Sequence, residues 1–100
     1  MDDKPAFDMM SKEEKRIELY KTAINKWGEL PQVTMVYEET GELISALAKY
    51  QRGRVIDDDV ITELADVSIM VEQIATMLGY EKYEAEKQRK LERLEERLNK

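Results

Sequence analysis

One hundred residues, of which 42% are hydrophobic and 38% charged, make a single small domain at most, and a domain of that size buries a limited share of its surface unless it associates with copies of itself. With no cysteine there are no disulfides and no thiolate metal sites; with no histidine the usual general base and the commonest neutral metal ligand are missing. A net charge of −6 argues against a nucleic-acid groove, no apolar run approaches the roughly 20 residues of a membrane helix, and the first ten residues lack the apolar core of a signal peptide, so a cytoplasmic protein with neither nucleic-acid nor membrane partners is expected.

Residues 1–10 are polar, carry Pro5 and read as a loose lead-in. Ser11 with Glu14 three positions on is a capping-box signature, and Ile17, Tyr20, Ile24 and Trp27 recur at helical spacing, giving a first helix that ends near Gly28. Pro31 suits the first turn of a second helix, which runs through Val36, Leu43, Leu47 and Tyr50 to Arg52, with Gly53 placed for the left-handed position beyond its end. Asp57, Asp58 and Asp59 are expected to cap a third helix with apolar positions Val60, Leu64, Val67, Val71, Ile74 and Leu78, closed by Gly79. The remainder, residues 80–100, is dense in Glu, Lys and Arg, with Leu91, Leu94 and Leu98 as a narrow stripe. No segment alternates with period two. The expected fold is an all-α helical bundle of four helices, with residues 11–79 as the body and 80–100 as a helix packing on that body or on a partner subunit.

The acids carry the functional signal. At about 100° per residue, with Val36 and Val60 each set to zero, Glu39 falls at about −60° inside the apolar sector of the second helix, and Glu63 falls at about −60° inside that of the third. Glu42 and Asp66 both lie near about −120°, at the sector edge. A shift of 24 positions maps one helix onto the other, pairing Glu39 with Glu63 and Glu42 with Asp66. A single such pair in so charged a chain is ordinarily a solvated helix face. Two pairs at the same phase inside two apolar stripes converge if the helices pack antiparallel or across a dimer axis. Four carboxylates about 6 Å apart at an effective dielectric near 20 repel by an amount that rivals a small domain's whole stability, so the group must spread apart, take up protons or hold a cation. Oxygen-only ligands favour Mg²⁺, Mn²⁺ or Ca²⁺, and Mg²⁺ commonly shares a few carboxylates with substrate phosphates.

At these residues the sequence resembles the MazG-like all-alpha nucleoside triphosphate pyrophosphohydrolases, whose signature E-E-x-x-E followed by E-x-x-D reads here as Glu38-Glu39-Thr40-Gly41-Glu42 and Glu63-Leu64-Ala65-Asp66. Trp27-Gly28 and Gln32 ahead of the glutamates add to the likeness, which covers residues 24–78. The resemblance implies hydrolysis of the α–β bond of a nucleoside triphosphate to the monophosphate and pyrophosphate. It implies Mg²⁺, with Mn²⁺ as a substitute, on Glu39, Glu42, Glu63 and Asp66. Glu38 is the candidate to orient or deprotonate the attacking water, or else an exposed bystander. Trp27 is placed either to stack on a nucleobase or to continue the core stripe, and Lys49 and Arg52 either to meet the triphosphate or to complement their helix end. Lys90-Leu91-x-Arg93 partly matches the K-F-x-x-R stretch implicated in phosphate binding in that family, with Leu in place of Phe and Arg93 one position early. Phosphoribosyl-ATP pyrophosphohydrolases share the size and carboxylates, but a histidine is expected shortly after E-x-x-D and none is present; a di-iron bundle fails for the same reason. A non-enzymatic helical adaptor is the reading from another class. Ile44, Ala48, Ile61 and Ile69 lie outside the acid-bearing stripes and predict a homo-oligomer, dimer or tetramer.

Overall fold

The computed structural model describes residues 6–100. Among these, a 3₁₀ turn (Phe7–Met9) leads into four α-helices, α1 (Lys12–Trp27), α2 (Glu29–Gln51), α3 (Asp57–Leu78) and α4 (Tyr80–Leu98), with no strand. The protein is an all-α helical bundle. The first five residues of the expected lead-in lie outside the described residues; the rest is ordered enough for the Lys15 ammonium to sit 5.5 Å from the centre of the Phe7 ring.

Capping chemistry sets the helix starts. Ser11 Oγ accepts from the Glu14 N–H at 3.1 Å and Glu14 Oε1 accepts from the Ser11 N–H at 3.0 Å, closing the anticipated box. The start of α3 differs from expectation. Ile56 occupies the cap position, and the three aspartates lie in the first helical turn, where Asp59 reaches back to accept from the Ile56 N–H at 3.1 Å. Their charge still complements the helix dipole, but the cap hydrogen bond runs in the reverse direction. Gly53 takes the left-handed position beyond α2 with φ +70°, and Gly79, with φ +123°, is the single residue at which α3 gives way to α4.

α2 and α3 form an antiparallel hairpin. Its buried link is an amide pair in which Gln73 Nε2 donates to Gln32 Oε1, with the two residues 5% and 3% exposed. α1 packs against α3 from another side, where the Tyr20 hydroxyl donates to Glu72 at 2.6 Å and Arg16 Nε stands 3.3 Å from the same carboxylate. Burial raises the Tyr20 hydroxyl above the usual phenol range, and the Glu72 carboxylate it donates to adds to the rise. α3 is therefore the central helix, and the core gathers on it as Tyr20, Val60, Met70 and Ala75.

That core is narrower than the apolar stripes implied. Leu64, Val71 and Leu78 of α3 and Leu47 and Tyr50 of α2 are exposed. The reason is geometric: α3 is covered by α2 and α1 on two sides only. α4 does not supply the missing cover, because every residue from Glu84 onward is exposed. The radius of gyration, 16.8 Å, exceeds the roughly 13 Å of a compact 100-residue domain.

Candidate metal centre

The Gln32–Gln73 pair fixes how α2 slides along α3. Seven residues on in α2 and seven back in α3, about two helical turns or 10.5 Å, Glu39 stands across from Asp66; three residues further, Glu42 stands across from Glu63. In an antiparallel pair the facing partners are thus Glu39 with Asp66 and Glu42 with Glu63.

Three of the four acids converge. One carboxylate oxygen from each of Glu39, Glu63 and Asp66 lies within 4.8 Å of the others, and all three residues are half-buried. Glu42 is exposed and flanks the trio. Glu39 Oε2 and Glu63 Oε2 are shielded from solvent and have no hydrogen-bond donor within the protein. Such atoms are costly unless something positive meets them. Burial is the largest cause raising the Glu39 carboxyl above the usual range, followed by the like charges of Glu42, Asp66, Glu63 and Glu38. Glu63 is raised in the same way, by burial first, then by Glu42 and Asp66 and by a hydrogen bond with Glu42.

A divalent cation fits this arrangement. Neighbouring ligand oxygens around Mg²⁺ lie about 3 Å apart and opposite ones about 4.2 Å, so the three carboxylates would draw inward onto an ion, whose charge would offset their mutual repulsion and meet the two donorless oxygens. The donor set is all oxygen, which selects Mg²⁺ or Mn²⁺ over zinc or copper.

Beside the acids a hollow of about 330 Å³ opens between the end of α2 and the start of α3, lined by Glu42, Ser45, Lys49, Asp59, Thr62 and Glu63 among others. Lys49 brings the positive side chain to this hollow. Arg52 caps the end of α2 instead, its N–H donating to the Lys49 carbonyl at 3.1 Å, and it does not line the hollow. Glu38 is exposed and reaches the centre only as one of the charges acting on Glu39.

Trp27 is not a core residue. It is 58% exposed at the end of α1, with the Lys26 ammonium 5.5 Å from its ring, and it shares a groove with Leu19, Tyr20, Ile69 and Gln73. None of the four acids lines this groove, which lies between α1 and α3. Lys90 and Arg93 stay away from the hollow: both are exposed on α4, and Lys90 stands 4.0 Å from Glu86 of its own helix.

Sequence reasoning missed Ser45, Asp59 and Thr62 as walls of the hollow, and Gln73 as the residue that sets the register. Gln73 left a legible trace, two turns along the same face as Asp66. The Tyr20–Glu72–Arg16 contact left none, since nothing in the pattern says which side of α3 receives α1.

Compared with protein-family models, curated proteins and solved structures, the chain finds no match in any of the three. Among the described residues no helix is long and apolar enough to cross a membrane.

Proposed function

We propose that this chain is a Mg²⁺-dependent nucleoside triphosphate pyrophosphohydrolase of the MazG-like kind, acting as a homo-oligomer and releasing nucleoside monophosphate and pyrophosphate. The observation that carries the reading is the meeting of Glu39, Glu63 and Asp66 around two donorless carboxylate oxygens, at the edge of a hollow that holds a lysine. Glu39, Glu63 and Asp66 would hold the ion, with Glu42 alongside Glu63 as a further oxygen donor. Mg²⁺, or Mn²⁺ in its place, supplies the positive charge that offsets the triphosphate.

The chain's own groups then divide the work. Lys49 faces phosphate oxygens from the wall of the hollow, and the Ser45 and Thr62 side chains offer it further polar contact. Glu38, exposed beside Glu39, would take up the proton of the attacking water through an intervening solvent molecule and not by direct contact with the centre. The water oxygen bonds to the α-phosphorus, the bond from that phosphorus to the bridging oxygen breaks, and pyrophosphate leaves with the bond's electron pair. Trp27 and Ile69 line a separate apolar groove between α1 and α3, and on this reading a nucleobase that reached it would stack on Trp27.

The test is a panel of ribo- and deoxyribonucleoside triphosphates incubated with Mg²⁺ or with a chelator, scored for pyrophosphate against orthophosphate. Pyrophosphate release that requires the metal supports the reading. No turnover of any triphosphate, together with a melting temperature indifferent to Mg²⁺ and Mn²⁺, would leave the helical-adaptor reading in its place.

A further inference from the structure

α3 and α4 are joined by one residue. Gly79 closes α3 by donating to the Ala75 carbonyl at 2.8 Å and opens α4 by accepting from the Tyr83 N–H at 3.1 Å, at φ +123° and ψ 94°. Residues with a Cβ rarely adopt that backbone conformation. Space is not what requires glycine, since a Cβ there would meet nothing nearer than the Lys82 side chain at 3.6 Å. The corner also leaves hydrogen bonds unmade. Among the described residues the N–H groups of Tyr80, Glu81 and Lys82 find no backbone acceptor, where a continuous helix would give them the carbonyls of Thr76, Met77 and Leu78.

Nothing else in this stretch opposes a continuous helix. The 22 residues of α3 and the 19 of α4 contain neither proline nor glycine, and the corner is flanked by strong helix formers in Met77, Leu78, Glu81 and Lys82. One glycine inside a helix is a modest penalty, far below that of proline. Gly79 therefore permits the bend without compelling it, and contacts must hold it. Those contacts are few. Tyr80 and Tyr83, whose rings lie 5.8 Å apart, are the only residues of α4 that are not exposed. The Tyr80 hydroxyl lies within electrostatic reach of Glu72 in α3 and Arg16 in α1. Tyr83 walls an apolar hollow of about 440 Å³ together with Val36 of α2 and Val71, Ile74 and Leu78 of α3. In one straight helix Val71 and Tyr83 would stand about 18 Å apart along the axis, too far to wall the same hollow, so the bend is what brings them together.

We propose that α3 and α4 are one switchable element with two states: bent at Gly79, as in this structure, and a single helix from Asp57 to Leu98. The two tyrosines hold the bent state. Straightening makes the three missing backbone bonds, lifts Tyr80 and Tyr83 off the body and strips the hollow of its α4 wall. The straight element would be about 63 Å long, more than the 56 Å longest dimension of the bent protein, so the change projects α4 beyond the bundle. The proposal rests on the corner and its contacts, not on the acids, and its test reads no activity, so it stands or falls separately from the hydrolase assignment.

The chain has no cysteine, so labels go only where they are placed. Ile61 and Leu94 are exposed on either side of the corner. The full-length Ile61→Cys, Leu94→Cys protein, spin-labelled at both sites and diluted into unlabelled parent, reports the distance across the corner by pulsed electron resonance without signal between copies. The straight state puts the two sites about 50 Å apart along one axis, and the bend brings them closer. The otherwise unchanged chain is expected to give mainly the shorter distance. Tyr80→Ala with Tyr83→Ala, which leaves Gly79 in place, should raise the long-distance population on the order of tenfold. Gly79→Ala should make the long distance the main one, with helical circular dichroism equal to the parent's or greater. A tyrosine variant that keeps only the shorter distance overturns the proposal, because the corner is then fixed. A broad spread with no maximum at the long distance does so too, since it marks a loose joint in place of a second helical state. So does Gly79→Ala at the parent's distance or with helix lost, and so does a parent found mainly at the long distance.

Discussion

Replacing Gln73 by Met tests the link that sets the register of α2 on α3. Gln32 and Gln73 are almost wholly buried and bonded to each other, so Gln73→Met leaves the Gln32 amide shielded without that partner. An orphaned buried polar group costs about 1–3 kcal/mol, and for a domain of 60–100 residues each kcal/mol shifts the melting temperature by about 4–8 °C, so a fall of roughly 5 to 20 °C is expected. Gln32→Met should cost a similar amount. With both replaced no polar group is stranded, and two flexible apolar chains of nearly the same length occupy the space; the double variant should return to within about 1 kcal/mol of the parent. The assay is a double-mutant cycle by thermal and urea unfolding at one protein concentration, held fixed because association would otherwise move the midpoint. The reasoning is refuted if either single change costs less than about 0.5 kcal/mol, or if the double change costs the sum of the two.

Glu39→Gln and Asp66→Asn are each expected to abolish Mg²⁺-dependent turnover while raising the metal-free melting temperature, because a like charge is removed from a crowded group; full activity in either would remove these residues from the centre. The folded-state carboxyls of Glu39 and Glu63 are raised, so the folded protein holds their protons more tightly than the unfolded chain. Metal-free stability from them is complete below the ordinary carboxylate range and is lost as pH rises through their raised values, against the neighbouring charges of Glu38, Glu42 and Asp66. Glu14, lowered by its bonds to Ser11, acts oppositely and further down: its contribution is present above the ordinary value and lost as pH falls through the lowered one. Melting curves in chelator from about pH 4 to pH 8 should therefore decline on the alkaline side, and saturating Mg²⁺ should flatten that decline; a metal-free melting temperature that climbs steadily across the range contradicts the burial of these acids. Lys90→Gln with Arg93→Gln should raise KM or lower kcat by about tenfold if α4 meets substrate, and unchanged kinetics would confine the helix to assembly.

What the sequence determined by itself was the periodic part of the protein. The Ser11 and Glu14 box, the left-handed glycine after α2, the four helices and the phase of Glu39 and Glu63 inside apolar stripes all follow from interactions within four or so residues, which a linear pattern records faithfully. Even the half-burial of the two glutamates was legible, since a helix carries its residues around at a fixed angle. Which acids face one another was not, because that depends on helix direction and slide: the sequence left antiparallel packing and packing across a dimer axis both open, and an antiparallel hairpin pinned at Gln32 and Gln73 sets Glu39 against Asp66. Nor could the pattern say that Trp27 ends outside the core, that Lys49 and not Arg52 faces the acids, or that Leu64 and Leu78 stay open to solvent. An apolar residue in a stripe is buried only where another element arrives to cover it, and α1 and α2 cover α3 on two sides only, which leaves Leu64, Val71 and Leu78 exposed.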